Sequence, residues 1–174
     1  GLQPYNKENL YELAESYFHT ADVEEAISKY QDALSLDANY AQAYNHLAYC
    51  YSWKGDHIRA LAACRRYLEL DPSANAYDSL GDAYMLAGEY EKAEQMKLKA
   101  IQMDPQMFYA SLNLSYIEML CGRYEAAEKS LKSVLTTLEN IVQARYYAAL
   151  AHLYFQSGDL DEALRMCTEG LKNA

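Results

Sequence analysis

The sequence is poor in positive charge: 15 lysines and arginines stand against 25 acidic residues, a formal charge of −10 over 174 residues. Such a field repels phosphate backbones and anionic lipid headgroups, so no nucleic acid and no membrane surface is expected as a partner, and a neutral or basic protein is the easier guest. No apolar run is long enough for a membrane span or a signal. The opening GLQPYNKE has neither an initiator methionine nor a charged leader, and the chain is expected to be a module of a larger protein. There is no CxxC pair among Cys50, Cys64, Cys121 and Cys167; each falls at an apolar helical position and reads as a small buried hydrophobe in a reducing, cytoplasmic compartment. A nucleophile elbow, an HExxH pair, a phosphate loop and a Cys/His cluster are all missing, so no catalytic residue, cofactor or metal is expected.

What the chain has instead is helical periodicity throughout, with half its residues apolar and no convincing alternating strand. Leu10, Leu13, Ala14 and Tyr17 mark one apolar stripe, and Ala26, Ile27, Tyr30, Ala33 and Leu34 a second after a short polar break. The pair reads as a helical hairpin. It recurs with Tyr44, Leu47, Ala48 and Tyr51 followed by Ala60, Cys64 and Tyr67, and again with Tyr77, Leu80, Gly81 and Tyr84 followed by Ala93 and Ala100. Two further copies, through Leu114 and Leu131 and through Leu150 and Cys167, bring the number to five.

The turns give the same register. Gly55, Gly88, Gly122 and Gly158 each follow a first helix, where a residue of positive φ closes it at low cost, and Asp56 and Asp159 are placed to cap the next. Ala21 holds this place in the first unit, which predicts a strained or differently built turn. Asp71-Pro72 and Asp104-Pro105 end second helices, with Asp37-Ala38 as the first such junction. The last junction, Thr136 to Gln143, runs longer and predicts an extended helix or a displaced final repeat.

With Tyr77, Leu80, Gly81, Tyr84, Ala93, Ala100 and Pro105 in place, the chain resembles the tetratricopeptide repeat family, whose 34-residue pattern they match with Lys97 in place of the aromatic expected four residues after Ala93. The fourth unit departs most, with Ser111 and Glu118 at aromatic positions. The resemblance implies an all-α, right-handed α-α superhelical solenoid of about five helix-turn-helix units. It makes residues 1–174 a single array, with repeats near 7–40, 41–73, 74–107, 108–141 and 144–174. It also implies that first helices line a concave groove. By position that groove takes Tyr11 and Glu15, then Asn45, Tyr49 and Trp53, then Asp78 and Asp82, then Tyr109, Leu112, Asn113 and Tyr116, then Arg145 and His152. One subset of the family clamps a C-terminal carboxylate with lysine, asparagine and arginine; the corresponding places here hold Tyr11, Glu15, His46 and Asn75, and no basic clamp exists.

Each groove residue has a plainer reading. Many of the 18 tyrosines occupy packing positions of the repeat, Asp78 and Asp82 fit a solvated acidic face better than an acid/base pair, and Glu15 with His19 lacks a second pair to hold a metal. Trp53 is the single residue most in favour of a functional surface. The function expected is a non-catalytic protein-protein interaction scaffold that takes a peptide or protein, neutral to basic or extended, in its groove. The alternative is self-association, as a homodimer, or intramolecular docking through the edge formed by Leu164, Cys167 and Leu171.

Overall fold

The computed structural model describes residues 6–135 and 140–172. The described residues form ten α-helices and no strand: α1 (Lys7–His19), α2 (Val23–Leu36), α3 (Ala41–Trp53), α4 (His57–Leu70), α5 (Ala74–Leu86), α6 (Tyr90–Met103), α7 (Phe108–Leu120), α8 (Tyr124–Leu135), α9 (Asn140–Ser157) and α10 (Leu160–Lys172). They follow one another as five helix-turn-helix pairs.

One turn design recurs five times. After each first helix a residue adopts positive φ, and the amide of the following residue donates to the carbonyl five residues back: Asp22 to Tyr17, Asp56 to Tyr51, Glu89 to Tyr84, Arg123 to Glu118 and Asp159 to Tyr154, at 2.8–2.9 Å. That bond satisfies a carbonyl the helix end would otherwise leave unpaired. Gly55 takes φ 73° without a Cβ to strain, whereas Ala21 is driven to φ 62°. The first turn is therefore built like the others, and its alanine bears the strain. Ala21→Gly is expected to stabilise the chain by about 0.5–1 kcal/mol, the relief of left-handed strain exceeding the added entropy of the unfolded glycine. A thermal unfolding midpoint that did not rise would show the strain absorbed elsewhere.

Capping sets the other helix ends. Asp56 and Asp159 accept the amides of Arg59 and Glu162 at 3.0 and 3.1 Å, and Asn6 and Ser73 cap α1 and α5 in the same way. Asp37 and Asp71 end α2 and α4 in extended backbone, the latter ahead of Pro72. At the last junction α9 has 18 residues against 13 in α7, an extension at its N-terminal end, and residues 136–139 of that junction lie outside the described residues.

The chain divides into two compact units, Gly1–Lys92 and Ala93–Ala174. In the first, α1 packs on α2, α2 on α3, α3 on α4, and α5 on both α3 and α4. Ala14, Ala26, Ala33, Ala43 and Ala60 are buried where these helices meet, because small side chains permit close approach, and Tyr30 fills the space between hairpins without exposed surface. In the second unit α7 packs on α8, and α9 packs on α7, α8 and α10. Its core gathers Leu112, Leu131, Tyr146, Leu150, Leu153 and Met166. Arg123 holds Glu94 through two 2.8 Å bonds in this unit.

The cysteines divide. Cys50 and Cys64 are buried as expected, but Cys121 and Cys167 are exposed, which corrects the reading of all four as core residues. Cys121 is the C-cap of α7, beyond the helix's packed face. Cys167 occupies a buried register position on a helix face that nothing described covers.

Candidate functional site

In the first unit the groove residues sit on α1, α3 and α5. Trp53 is 65 % exposed and meets the edge of Phe18, with ring centroids 5.9 Å apart and nearly perpendicular. Tyr49 presents its ring to solvent while its hydroxyl reaches inward to Ser79 Oγ at 3.2 Å. Burial pushes the Tyr49 phenol up to about 12; the bond to Ser79 opposes the shift and the charges of Asp82 and Asp78 add to it. Tyr11 lies against Tyr40, His46 and Tyr30 at centroid distances of 5.3–5.6 Å, and burial with the nearby Glu15 carboxylate also raises its phenol to about 12. Asn45 is buried and its Oδ1 accepts no hydrogen bond, so it lies beneath the surface a guest would touch. Asp78 is buried too, and both it and Asp82 are already engaged within the chain.

Under this face the structure assembles a group that spacing along one helix does not reveal. Tyr30 of α2 donates its hydroxyl hydrogen to Glu15 Oε1 of α1, and the same oxygen lies 2.6 Å from His46 Nδ1 of α3. Glu15 thus meets a histidine one hairpin away rather than His19, one turn away on its own helix. The contact with His46 is close but unaligned, since Nδ1 completes no hydrogen bond. Burial therefore prevails and lowers the imidazole below 6.5; the Glu15 carboxylate opposes the shift and His19 adds to it. Next in the array, Cys64 takes the place of Tyr30: its thiol donates to the Ser79 carbonyl at 3.4 Å, beside the Tyr49 hydroxyl. The first group joins α2 to α1 and α3, and the second joins both α4 and α3 to α5. The sequence signal is the register position eight residues past the turn, held by Tyr30 and Cys64 alike.

A pH dependence follows from His46. A base whose folded pKa lies below its unfolded value favours the folded state while neutral. That contribution is present above 6.5 and is lost as pH falls through the folded value. His46→Gln should flatten the stability profile between about pH 7 and 5 relative to the parent chain. Parallel profiles from urea titrations would show that His46 does not carry the slope.

The second unit brings its groove residues together in pairs across α7 and α9. Arg145 donates to the Tyr109 hydroxyl at 3.3 Å with its guanidinium 5.6 Å from that ring, and Tyr116 meets His152 edge-on at 6.5 Å. Tyr109, Arg145 and His152 are exposed and Tyr116 half-buried. Asn113 is half-buried on α7 and engaged within the chain, while Leu112 belongs to the core. On α10, Leu164 and Leu171 are 69 % and 79 % exposed and Cys167 is exposed between them. Among the described residues no cluster of three or more His, Cys, Asp or Glu could hold a metal, and no helix is long and apolar enough to cross a membrane.

Comparison with known proteins agrees with this geometry. Two family models described as tetratricopeptide repeat match, one over residues 10–75 and the other over 74–107 and 144–174. The chain is 28 % identical over 115 residues to Superkiller complex protein 3 of Homo sapiens, covering 66 % of this chain and 7 % of that protein. It is 27 % identical over 165 residues to BBSome complex member BBS4 of Bos taurus, covering 94 % of this chain and 31 % of that protein. It therefore spans only a minor part of these relatives' length. Among solved structures, a thermophilic TPR protein of Thermus thermophilus matches with a TM-score of 0.80 at 25 % identity, over 97 % of this chain and 91 % of that one. The type IV pilus biogenesis factor PilW shares the fold with a TM-score of 0.85 at 22 % identity, over 96 % and 77 % of the two chains. The fold is that of a protein-interaction scaffold, and the chain belongs to the tetratricopeptide repeat family.

Proposed function

We propose that this chain is a non-catalytic, cytoplasmic binding module of a larger protein, and that the face of α1, α3 and α5 takes an extended peptide with neutral to basic side chains. The observation that carries this reading is Trp53, 65 % exposed on α3 beside Phe18 and the open ring of Tyr49. Exposed aromatic rings offer contact area at low entropic cost, and tryptophan and tyrosine dominate the binding energy of protein interfaces. The net charge of −10 favours a basic guest and its rate of encounter. The four cysteines form no disulfide, which fits a reducing compartment, and the small share of each relative that the chain spans fits a module.

Trp53 is the chain's single tryptophan, so its fluorescence reports occupancy of this face directly. Titration with a panel of peptides matched in length but differing in charge should shift that emission for lysine- and arginine-bearing members and not for acidic ones. With a labelled basic peptide, Trp53→Ala should weaken binding about tenfold or more. Equal binding of acidic and basic peptides, or no loss in the variant, would count against the reading.

A further inference from the structure

Glu15 is a half-buried carboxylate that no lysine or arginine of the first unit reaches. Six of the seven basic side chains between residues 1 and 92 each hold another carboxylate, and the seventh, Arg65, donates to the Tyr84 hydroxyl. The group of opposite sign that Glu15 does meet is His46, and burial keeps that imidazole neutral near pH 7, so the negative charge is not offset there. The Tyr30 hydroxyl and His46 both approach Oε1, which leaves Oε2 to the open part of a side chain that is 25 % exposed. Aromatic rings gather around this carboxylate. Tyr11, four residues before it, and Phe18, three after, share its side of α1. From α3, His46 meets their rings at 5.4 and 6.5 Å and that of Tyr49 at 6.2 Å, and Trp53 stands 5.9 Å from Phe18.

We infer that this place receives a single arginine side chain of the guest, its guanidinium donating to Glu15 Oε2 among the surrounding rings, a reading that rests on the peptide groove proposed above and names the residue that selects for charge. A carboxylate partly withdrawn from water attracts a cation more strongly than an exposed one does, and a hydrogen bond between two charged groups is roughly twice as strong as a neutral one. The rings favour arginine over lysine. A planar guanidinium is weakly hydrated and stacks on aromatic faces, whereas an ammonium is strongly hydrated and gains less from leaving water. An acidic residue of the guest would meet Glu15 at a like charge, and a neutral one would leave Oε2 to water. The other exposed carboxylates of the unit lack this enclosure, and Asp78 and Asp82 are already engaged.

The test uses three labelled peptides of otherwise neutral residues that differ at one position, holding arginine, lysine or citrulline, the neutral isostere of arginine. Each is titrated by fluorescence anisotropy against the whole 174-residue chain and against Glu15→Gln. The parent chain should bind the arginine peptide about tenfold more tightly than the citrulline peptide, with lysine between them. Glu15→Gln keeps the shape of the side chain and an oxygen for the Tyr30 hydroxyl, and circular dichroism checks that it folds. It should bind arginine and citrulline peptides alike, with its affinity for citrulline unchanged from the parent. A merely structural role for Glu15 would instead weaken all three peptides equally and overturn the inference. So would a parent chain that binds arginine no better than citrulline, a comparison that alters only the peptide, or one that prefers lysine. Trp53→Ala, titrated beside them, separates the two readings. Binding lost in Trp53→Ala while Glu15→Gln keeps the arginine preference would overturn this inference and leave the groove standing; binding intact in Trp53→Ala would count against the groove reading itself.

Discussion

Tyr30→Ala is expected to lower the stability of the chain by about 3–5 kcal/mol. The ring is wholly buried on α2 and contacts the rings of Tyr11 and His46 at 5.6 Å each, so removing it opens a cavity at the meeting of α1, α2 and α3. Its hydroxyl also donates to Glu15, and removing the donor leaves that carboxylate against His46 alone. Tyr30→Phe separates the two contributions. It keeps the ring and should cost about 1–2 kcal/mol, because one hydrogen bond to a charged acceptor is lost and Glu15 still reaches water. Urea unfolding of the two variants decides the matter. A phenylalanine variant as unstable as the alanine variant would place the stabilisation in the polar contact and not in packing. Since domains of this size are stable by only about 5–15 kcal/mol, the alanine variant should be close to losing its first unit at physiological temperature.

Leu131→Ala should cost about 2–5 kcal/mol in the second unit. Leu131 holds the Tyr30 register position on α8, has no exposed surface, and sits in the core with Leu112, Tyr146, Leu150 and Leu153. Alanine favours the helix, so the loss is one of packing and not of helical propensity. Cys167→Ala provides the internal comparison: the same position on α10, but exposed, so the expected change lies within about 0.5 kcal/mol. Hydrogen exchange locates the effect, with protection lost in α7 to α10 for Leu131→Ala and kept in α1 to α4. Equal losses from Leu131→Ala and Cys167→Ala would mean that α10 is covered in solution.

The hairpins were legible in the sequence because each rests on local chemistry. Gly55 tolerates φ 73°, Asp56 caps α4 and Asp71-Pro72 stops it, each acting within a few residues of itself. The candidate groove was legible only in part. Trp53 and Tyr109 project to solvent as their helical positions suggest, yet Asn45, one turn before Tyr49 on the same helix, is buried, and Asp78 lies beneath the surface rather than on an acidic face. Helical spacing tells which residues share a stripe. How much of the stripe the neighbouring hairpin covers depends on side chains some thirty residues away.

The amino-acid sequence by itself determined the helices, their turns, their register and the family, since these follow from periodicity, positive φ, capping and proline, all of them short-range. Tertiary structure alone decided that Glu15 meets Tyr30 and His46 instead of His19, and that Cys167 is bare where Cys64 is covered. These outcomes depend on which helix packs beside which. A repeated motif presents the same position to each neighbour, and only the presence or absence of that neighbour decides whether the position becomes core or surface.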